Sequence, residues 1–537
     1  MSQYYMGIDV GTASARAGVF DASGTLLGTA KQDVTVYRAP GSMVEESSAE
    51  IWAAVCAASR GAVAEAGVTA ADIAGISFDA TCSLVVLGEG GVPLPVGPSE
   101  DPARNIIVWM DHRATPQAER INAMGHRVLD YVGGRISPEM ETPKLLWLKE
   151  NRREIFDAAW RFFDLTDYLT WRATGSEARS ICTVTCKWTY MGHEGSWDES
   201  YFRQIGLDEL VDDGFARIGS EIVDPGTPLA AGLTAEAAAD LGLAPGTKVG
   251  AGLIDAHAGG VGTVGAQGGG GPQANLGYVF GTSSCTMTTT ADPVFVPGVW
   301  GPYFSAMVPG AWLNEGGQSA AGAAIDQLLR FHPAHDEAAA LAVRAGKSLP
   351  AWLGARASEL GKTAAGAAHL ADGLHVVPEF LGNRAPHADP YTRAVIAGLG
   401  MEADVDNLVA LYVAGICGLG YGLRQIIETQ AENGAGIETI VISGGAGRAD
   451  LVRQLLADAT GVPVAAPATE EPVLLGSAIL GAVAAGAHAD MQSAMAAMST
   501  NVARYEPGDD AARATHDARY ALFVRFQELA RDAAVRS

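Results

Sequence analysis

A strand, a Gly-Thr turn and a second strand occupy residues 6–21, and this hairpin constrains the fold more than any other stretch. One apolar run ends at Asp9, the turn carries Gly11 and Thr12, and a second apolar run leads away. Glycine lets backbone N–H groups approach an anion, the Thr12 hydroxyl adds a donor, and a carboxylate at the strand end suits Mg²⁺. The turn therefore has the composition of a phosphate-binding site.

The same pattern recurs about 270 residues further along the chain. An apolar run ending at Phe280 meets Gly281 and Thr282, and a polar strand then leaves through Cys285. A single Gly-Thr turn between two strands is commonly a plain hairpin. Two such turns in one chain favour two similar halves. A third glycine turn, Gly444-Gly445, follows the predicted strand 439–443, so that the three turns could bracket a nucleotide.

Polar side chains stand at the carboxyl ends of three further predicted strands. Asp79 ends the strand 73–79 and Cys82 follows it, Asp111 follows the strand 106–110, and Asp255 follows the strand 249–254. Ligands collect at the carboxyl ends of strands in α/β sheets. Asp255 is therefore a candidate general base. A carboxylate at this position also commonly caps the next helix, and both interpretations of Asp255 remain open from the residues alone.

Length and charge exclude several classes of protein. A chain of 537 residues is too long for one ordinary domain. Its formal net charge of −25 at pH 7 repels nucleic acid and anionic membranes. The amino terminus lacks the basic and apolar regions of a signal peptide, and no apolar stretch is typical of a membrane span. We expect two large domains, a cytoplasmic location, and neither nucleic acid nor membrane as a partner.

The cysteines and histidines do not predict a metal centre. Among the six cysteines only Cys182 and Cys186 are close in sequence, and no second pair or histidine cluster stands near them. We interpret them as free thiols in a reducing compartment. The side chains of His112, His193 and His257 are interpreted as solvated or hydrogen-bonded rather than as metal ligands.

The glycine-rich segment 266–272 is the clearest break in composition and the predicted domain boundary. It predicts an N-terminal domain, 1–265, and a C-terminal domain, 272–537. Helical periodicity predicts helices over 48–66, 403–430 and 451–460. Two Gly-Lys-Ser/Thr tripeptides, at 346–348 and 361–363, lack the first glycine of a Walker A motif.

These motifs resemble the FGGY carbohydrate kinases over residues 5–486. The resemblance rests on the two Gly-Thr hairpins, Asp255 after an apolar strand, Glu315-Gly-Gly-Gln318 and Ser443-Gly-Gly445. The stretches 78–86, 109–114, 186–190, 253–260 and 292–318 are similar to the D-ribulokinase branch of that family. The resemblance implies an α/β protein with two actin/Hsp70-like, ribonuclease H-like ATPase domains. Each domain is then a mixed sheet flanked by helices, and a cleft lies between them.

The resemblance also implies ATP and Mg²⁺ as cofactors and a pentulose as substrate, most closely D-ribulose phosphorylated at its primary C5 hydroxyl. Lys187 lies among apolar residues, where a lysine commonly snorkels, but the resemblance makes it a sugar ligand. The implied roles are Asp255 as catalytic base and sugar ligand; Asp79, Cys82, Asp111, Lys187 and Glu315 at the sugar; Asp9 at the metal; and Gly11, Thr12, Gly281, Thr282, Gln318, Gly444 and Gly445 at the nucleotide.

Several alternatives stay open. Many relatives carry asparagine four positions after the second glycine of the third turn, where this chain has Ala449, so a nucleoside contact is in question. The acceptor could also be L-ribulose, ribitol or D-xylulose. A non-catalytic sugar sensor and an actin-like or chaperone-like ATPase are rivals of other classes. The carboxylates of Asp9 and Asp255 disfavour the sensor, and the sugar-site residues disfavour the protein-directed ATPase. A homodimer is the candidate assembly.

Overall fold

The computed structural model describes residues 3–267 and 270–534. The strands are β1 (Tyr4–Gly11), β2 (Ser14–Phe20), β3 (Leu26–Asp33), β4 (Tyr37–Ala39), β5 (Met43–Glu46), β6 (Ile73–Ala80), β7 (Leu84–Gly88), β8 (Ile106–Ile107), β9 (Ala159–Asp164), β10 (Arg179–Ser180), β11 (Ile222–Val223), β12 (Lys248–Ile254), β13 (Asn275–Phe280), β14 (Ser284–Thr290), β15 (Trp300–Phe304), β16 (Trp312–Gln318), β17 (His375–Val377), β18 (Val395–Ala397), β19 (Thr439–Ser443), β20 (Val464–Pro467) and β21 (Asn501–Tyr505).

The helices are α1 (Ser48–Ala66), α2 (Thr115–Met124), α3 (Glu141–Asn151), α4 (Arg153–Ala158), α5 (Leu165–Thr174), α6 (Ile181–Lys187), α7 (Glu199–Ile205), α8 (Asp208–Asp212), α9 (Ala235–Leu241), α10 (Asp255–Val264), α11 (Gly322–Arg330), α12 (His335–Arg344), α13 (Leu349–Gly361), α14 (Ala364–His369), α15 (Val405–Glu432), α16 (Asp450–Thr460), α17 (Pro472–Ala484), α18 (Met491–Met498) and α19 (Asp510–Ala533). The predicted helices therefore form, with ends displaced by no more than two residues.

The first sheet has the strand order β12-β6-β1-β2-β3. Strands β1, β2 and β3 form the predicted antiparallel meander, and Gly11 pairs with Ser14 across the turn. Strands β6 and β12 lie parallel to β1 on its other side. The carboxyl ends of β1, β6 and β12 consequently share one edge of the sheet, which carries Asp9 and is followed by Asp255.

The second sheet repeats this arrangement in the order β15-β16-β14-β13-β19-β20-β21. Strand β13 pairs antiparallel with β14 through the second Gly-Thr turn and parallel with β19, as β1 pairs with β2 and β6. The predicted likeness of the two halves is therefore present in the sheets. A third sheet, β4-β5-β8-β7-β9, flanks the first, and there the predicted strand 106–110 is paired only at Ile106–Ile107.

Helices α10 and α17 lie between the two large sheets and cross each other at very short range. A Cβ atom on Gly476 of α17 would lie 1.9 Å from the carbonyl oxygen of Ala258 on α10. A Cβ atom on Gly7 of β1 would lie 1.9 Å from the carbonyl oxygen of Leu474. Helix α17 comes from the second half of the chain, yet it covers one face of the first sheet. Glycine at these positions therefore holds the two halves together.

Substitution of Gly476 by alanine is expected to destabilise the protein. Helix propensity alone favours alanine over glycine by roughly 1 kcal/mol. The contact with the Ala258 carbonyl makes the expected change in stability unfavourable instead. A methyl group cannot occupy that space, and overpacking typically costs about 1–3 kcal/mol. Thermal unfolding measures the change. Gly354→Ala in α13 is the matched control, since its new methyl group meets no atom closer than 3.5 Å; equal melting temperatures for the two variants would contradict the packing argument.

Helix α15 is the core helix of the second half. By length and composition it could cross a membrane, but 78% of its most apolar window is buried inside the protein. Its glycines Gly418 and Gly420 pack against Val376 and Ala459, so these glycines allow close packing of the helix. The predicted boundary at 266–272 includes Gly268 and Gly269, which lie outside the described residues, and the division of the chain there remains a prediction.

Candidate active site

A pocket of about 380 Å³ opens between the first and second sheets. Its floor is the shared edge of β1 and β12, and its far wall belongs to the second half. Its lining residues are Asp9, Gly11, Thr12, Arg16, Thr81, Cys82, Trp109, Glu139, Lys187, Ile254, Asp255, Ala256, Val279, Ser283, Cys285, Trp300, Glu315, Arg384 and Val473. The pocket therefore gathers seven of the residues singled out from the sequence.

One end of the pocket is formed by the first Gly-Thr turn. Arg16 lies directly opposite Asp9 in the β1–β2 register, and its Nε donates to Asp9 Oδ2 at 2.9 Å. Arg16 Nη1 also donates to Glu471 at the start of α17 at 2.7 Å. The Trp109 indole N–H donates to the Thr12 hydroxyl at 3.0 Å. Sequence reasoning missed Arg16 and Trp109, although the hairpin register alone places Arg16 beside Asp9.

Asp255 stands where β12 ends and α10 begins, on the floor of the pocket. Its Oδ1 accepts a hydrogen bond from the Ala256 N–H at 2.7 Å. The pKa of the Asp255 carboxyl is raised to about 6, because burial disfavours its charge and the nearby Asp9 carboxylate acts in the same direction. At neutral pH it is therefore an ionised carboxylate with unusual basicity, which is the property of a general base.

Glu315 on β16 reaches the pocket from the second half. His257 Nε2 lies 3.4 Å from Glu315 Oε2, and His257 Nδ1 lies 3.2 Å from Cys182 Sγ. Burial alone raises the pKa of Glu315, but the hydrogen bond from His257 lowers it to about 2. Glu315 is consequently a fixed anion. His257 makes the hydrogen-bond contacts expected of it, and its contact with Cys182, 75 residues away in sequence, was not predicted.

Cys182, Cys186 and His257 offer ligand atoms within 4.8 Å of one another, and all three are buried. The direct contact between Cys182 and His257 is that of a hydrogen bond, and the free state of both cysteines agrees with the prediction. Of the other two histidines, His112 makes a hydrogen bond, and the ring of His193 contacts an aromatic side chain. His112 Nε2 lies 3.3 Å from Glu139 Oε1, and the ring of His193 stacks on Tyr131 at 4.5 Å.

Two residues expected at the sugar are not in the pocket. Asp111 is buried in an ion pair with Arg113, and its Oδ2 also accepts the Val44 N–H at 2.6 Å. Asp79 is fully buried, and its Oδ2 accepts the Ser477 hydroxyl at 2.5 Å. Burial, followed by the neighbouring Asp9, raises the pKa of Asp79 well above its ordinary value. Asp111 is held by protein donors, whereas Asp79 Oδ1 has no hydrogen-bond partner among the described residues, and a contact of either carboxylate with the sugar stays a prediction.

The second and third glycine turns meet at one end of β13. Gly444 has a φ of 91°, and a Cβ atom on it would lie 2.5 Å from the Phe280 carbonyl oxygen, so the turn requires glycine. The carbonyls of Gly281 and Thr282 accept backbone N–H groups from the start of α11. Ser283, in the same turn as Thr282, lines the pocket. The first turn therefore lines the pocket through Gly11 and Thr12 and the second through Ser283, whereas Gly281, Thr282, Gly444 and Gly445 are not among the lining residues and their contact with nucleotide stays a prediction.

The side chain of Gln318 is engaged by protein groups. Its Oε1 accepts hydroxyl groups from Tyr278 and Ser284, both at 3.1 Å, and its Nε2 donates to the Leu419 carbonyl at 3.0 Å. Both lone pairs of the amide oxygen are thus engaged. Gln318 lines a separate small cavity rather than the large pocket. Gln318 thereby joins β16 to α15, and its expected contact with nucleotide stays a prediction.

Two mixed sheets of the same topology, with a pocket of carboxylates and glycine turns between them, define a sugar kinase of the actin/Hsp70 fold. Family models support this conclusion directly. The N-terminal domain of the FGGY family of carbohydrate kinases matches residues 4–262, and its C-terminal domain matches residues 276–485. The chain belongs to the FGGY family of carbohydrate kinases, and it acts on a sugar and ATP.

Individual relatives cover nearly the whole chain. The FGGY carbohydrate kinase domain-containing protein of Homo sapiens is 47% identical over 93% of this chain and 91% of its own length. The D-ribulokinase of Saccharomyces cerevisiae is 40% identical over 90% of this chain and 72% of its own length. Among solved structures, xylulose kinase from Rhodospirillum rubrum has a TM-score of 0.78 at 22% identity over 98% of both chains. Glycerol kinase from Plasmodium falciparum has a TM-score of 0.79 at 16% identity over 98% of both chains.

Proposed function

We propose that the protein transfers the γ-phosphoryl group of ATP to the primary C5 hydroxyl of a pentulose, with D-ribulose as substrate and D-ribulose 5-phosphate as product. The observation that carries this proposal is the position of Asp255 in one pocket with Lys187 and Glu315 on the sugar side and the Gly11–Thr12 turn on the phosphate side. The 40% identity to a D-ribulokinase supports the choice of acceptor.

Asp255 is proposed to accept the proton of the C5 hydroxyl as the oxygen attacks the γ-phosphorus atom. Phosphoryl transfer needs positioning, charge compensation and little covalent chemistry from the protein. A base of this kind contributes about 10²–10⁴-fold to the rate. The Ala256 N–H holds one oxygen of Asp255 in place, and the second oxygen remains for the hydroxyl. The raised pKa of Asp255 strengthens it as a proton acceptor.

The phosphate side of the pocket fits a triphosphate with a divalent cation. A Cβ atom on Gly11 or Gly281 would meet no atom closer than 3.8 or 3.6 Å, so the backbone of both turns is open to a close anion. The Asp9 carboxylate is the oxygen ligand that Mg²⁺ prefers. Bound there, Mg²⁺ would neutralise charge on the phosphate oxygens. Gly11, Thr12 and Arg16 are proposed to position the transferred phosphoryl group.

The sugar side of the pocket combines one fixed anion and one buried cation. Glu315 and Lys187 are proposed to bind hydroxyl and carbonyl oxygens of the pentulose, and Cys82 to limit the space beside them. Lys187 is only 8% exposed and has no hydrogen-bond partner among the described residues, so it is available to a ligand. This placement favours the ligand role of Lys187 over snorkelling, because a snorkelling ammonium group reaches water.

A coupled ADP-release assay across pentuloses and pentitols tests the proposal. We expect turnover to be highest with D-ribulose, lower with L-ribulose, D-xylulose and ribitol, and close to background without sugar. If turnover is highest with another acceptor, that acceptor replaces D-ribulose as the proposed substrate. Binding of sugar without ADP release would support the sensor, and sugar-independent ATP hydrolysis would support the protein-directed ATPase.

The acidity of Asp255 predicts the pH dependence of kcat/KM. Below its pKa of about 6 the carboxyl group is protonated and cannot accept the hydroxyl proton. We therefore expect kcat/KM for the sugar to be level above this pH and to fall about tenfold per pH unit below it. Initial rates between pH 4.5 and pH 8 measure the profile. A level profile down to pH 5 would exclude Asp255 as the titrating base.

Location and domain division are part of the same proposal. Residues 1–265 are proposed as the sugar-binding and catalytic domain and residues 272–537 as the nucleotide-binding domain. The six cysteines are free thiols in the structure, which is typical of a reducing compartment. Together with a net charge of −25 they support a location in the cytoplasm, with no nucleic acid as partner.

A further inference from the structure

Two cysteines and a histidine form a buried cluster beside the pocket. Cys182 and Cys186 belong to α6, and His257 lies in the first turn of α10. Each residue offers one ligand atom, and these three atoms lie within 4.8 Å of one another. None of the three side chains lines the pocket. The cluster is therefore separate from the Asp9 carboxylate, where Mg²⁺ is proposed to bind.

The two cysteines share one face of α6. They stand four residues apart, and this spacing brings side chains one above the other on a helix. The same spacing lets the two histidines of an H-E-x-x-H helix bind one zinc ion. His257 reaches this face from an element 75 residues beyond Cys182 in the chain. The sequence did not predict the cluster, because only the fold brings the histidine to the cysteines.

The separations within the cluster suit one tetrahedral ion. Zinc binds sulfur at about 2.3 Å and histidine nitrogen at about 2.0–2.1 Å, so its ligand atoms lie about 3.6–3.8 Å apart. His257 Nδ1 lies 3.2 Å from Cys182 Sγ, and no separation among the three ligand atoms exceeds 4.8 Å. The distances of the cluster bracket those of a zinc site. Small side-chain rotations therefore bring all three atoms onto one ion.

The groups around the cluster are also those of a metal site. His257 Nε2, on the other side of the ring, lies 3.4 Å from Glu315 Oε2. A histidine that binds a metal through one nitrogen typically donates a hydrogen bond from the other nitrogen to a carboxylate, which fixes the ring and its tautomer. The Cys182 sulfur accepts the Ile254 N–H at 3.5 Å. Both partners hold ligand atoms in orientation.

A fourth ligand is available at the same place. Tyr303 is 1% exposed, and its hydroxyl has no hydrogen-bond partner among residues 3–267 and 270–534. Burial raises the pKa of Tyr303, and the neighbouring Cys186 is the group whose charge acts on it most strongly in the same direction. An unpaired buried hydroxyl is costly. The fourth position of a tetrahedral ion is left to this oxygen or to a water molecule.

We propose that Cys182, Cys186 and His257 bind one Zn²⁺ ion at a structural site. Thiolate and imidazole ligands select Zn²⁺, whereas Mg²⁺ prefers oxygen ligands. Neighbouring cysteines in a reducing compartment are also more commonly metal ligands than disulfides. The ion joins the last turn of α6, which ends at Lys187, to the first turn of α10, which begins at Asp255. It therefore fixes the relative position of two pocket residues, whichever sugar is phosphorylated.

Metal analysis of the purified, untagged enzyme tests this site. Wild-type protein from zinc-supplemented cells, desalted into buffer that contains Mg²⁺, is expected to retain about one zinc ion per chain. Cys186→Ala is expected to retain less than about a tenth as much. Cys417→Ala is the matched control, since Cys417 is also a fully buried helical cysteine but lies on α15, outside the cluster. Absence of zinc from wild type, or equal zinc in wild type and Cys186→Ala, would overturn the proposal.

Cobalt in place of zinc supplies a spectroscopic readout that does not require turnover. Wild-type protein from zinc-depleted, cobalt-supplemented cells is expected to show sulfur-to-cobalt charge-transfer absorption, and Cys417→Ala the same spectrum. Replacement of both Cys182 and Cys186 by alanine should abolish the absorption. Should these variants fail to fold by circular dichroism, the wild-type spectrum decides, because cobalt-loaded wild type without the absorption would overturn the proposal.

Thermal unfolding gives a further measure of the same site. A zinc-selective chelator is expected to lower the melting temperature of wild type and of Cys417→Ala, because an ion bound only by the folded state stabilises that state. The melting temperature of Cys186→Ala should not respond to the chelator. Wild type and Cys186→Ala that respond equally would show that the stabilising ion lies elsewhere.

Discussion

Replacement of Asp255 by asparagine is expected to lower kcat at least about 100-fold, while sugar binding is retained. Asparagine preserves the size of the side chain and can still accept the Ala256 N–H, so the pocket keeps its shape. What the variant loses is a base for the C5 proton. Initial rates measure kcat, and calorimetric titration with D-ribulose measures binding separately. The acidic limb of the pH profile should disappear together with the activity.

The matched control for this variant is Asp164→Asn. Asp164 also stands where a strand ends and a helix begins, and its side chain caps α5 by accepting the Thr166 N–H. Asparagine caps helices as well as aspartate does, and Asp164 does not line the pocket. We expect kcat within about twofold of wild type. Turnover of Asp255→Asn within tenfold of the control would remove Asp255 from the proposed mechanism.

Replacement of Asp9 by asparagine is expected to lower kcat/KM for ATP by about 10²–10³-fold. The substitution removes the anionic oxygen proposed to hold Mg²⁺ and leaves Arg16 with Glu471 as its remaining partner. The apparent affinity for Mg²⁺ should weaken with the rate, since a neutral amide is a poorer ligand for a hard cation. Rates measured at fixed ATP across a series of Mg²⁺ concentrations separate this effect from a general loss of activity.

Asp21→Asn serves as the control at the opposite end of the same hairpin. Asp21 follows β2, and its Oδ1 accepts the N–H groups of Ser23 and Thr25 in a turn that asparagine also forms. We expect normal Mg²⁺ dependence. An Asp9→Asn variant with the same Mg²⁺ dependence as this control would show that another residue binds the cation.

The positions of the two hairpins in the chain and the ends of helix α1 can be predicted from local sequence patterns. Helix α1 begins and ends where the periodicity predicts, because Ser47 caps its start and Gly67 adopts the left-handed conformation at its end. Asp9 and Asp255 reach the pocket because strands of one sheet share an edge. The likeness of the two sheets follows from the repeated Gly-Thr turn. These features depend on residues that are close in sequence.

Features that depend on distant residues were not predictable. Arg384 and Glu139 enter the pocket from loops with no periodic signal, and their place is set by the packing of both halves. Asp111 follows a strand, as expected, but Arg113 two residues later turns its carboxylate into the interior. Sequence position alone does not distinguish a carboxylate that faces a ligand from one that faces a buried guanidinium.

The placement of α17 also has a consequence for biosynthesis. During translation, residues 1–265 leave the ribosome long before residues 472–484, which cover a face of the first sheet. At ordinary elongation rates this interval lasts roughly 10–40 s. Throughout it the nascent sheet exposes the strand glycines and their apolar neighbours to solvent. Production of the protein should therefore depend on chaperone capacity, and a polypeptide that stops at residue 265 should aggregate unless the 472–484 segment is supplied in trans.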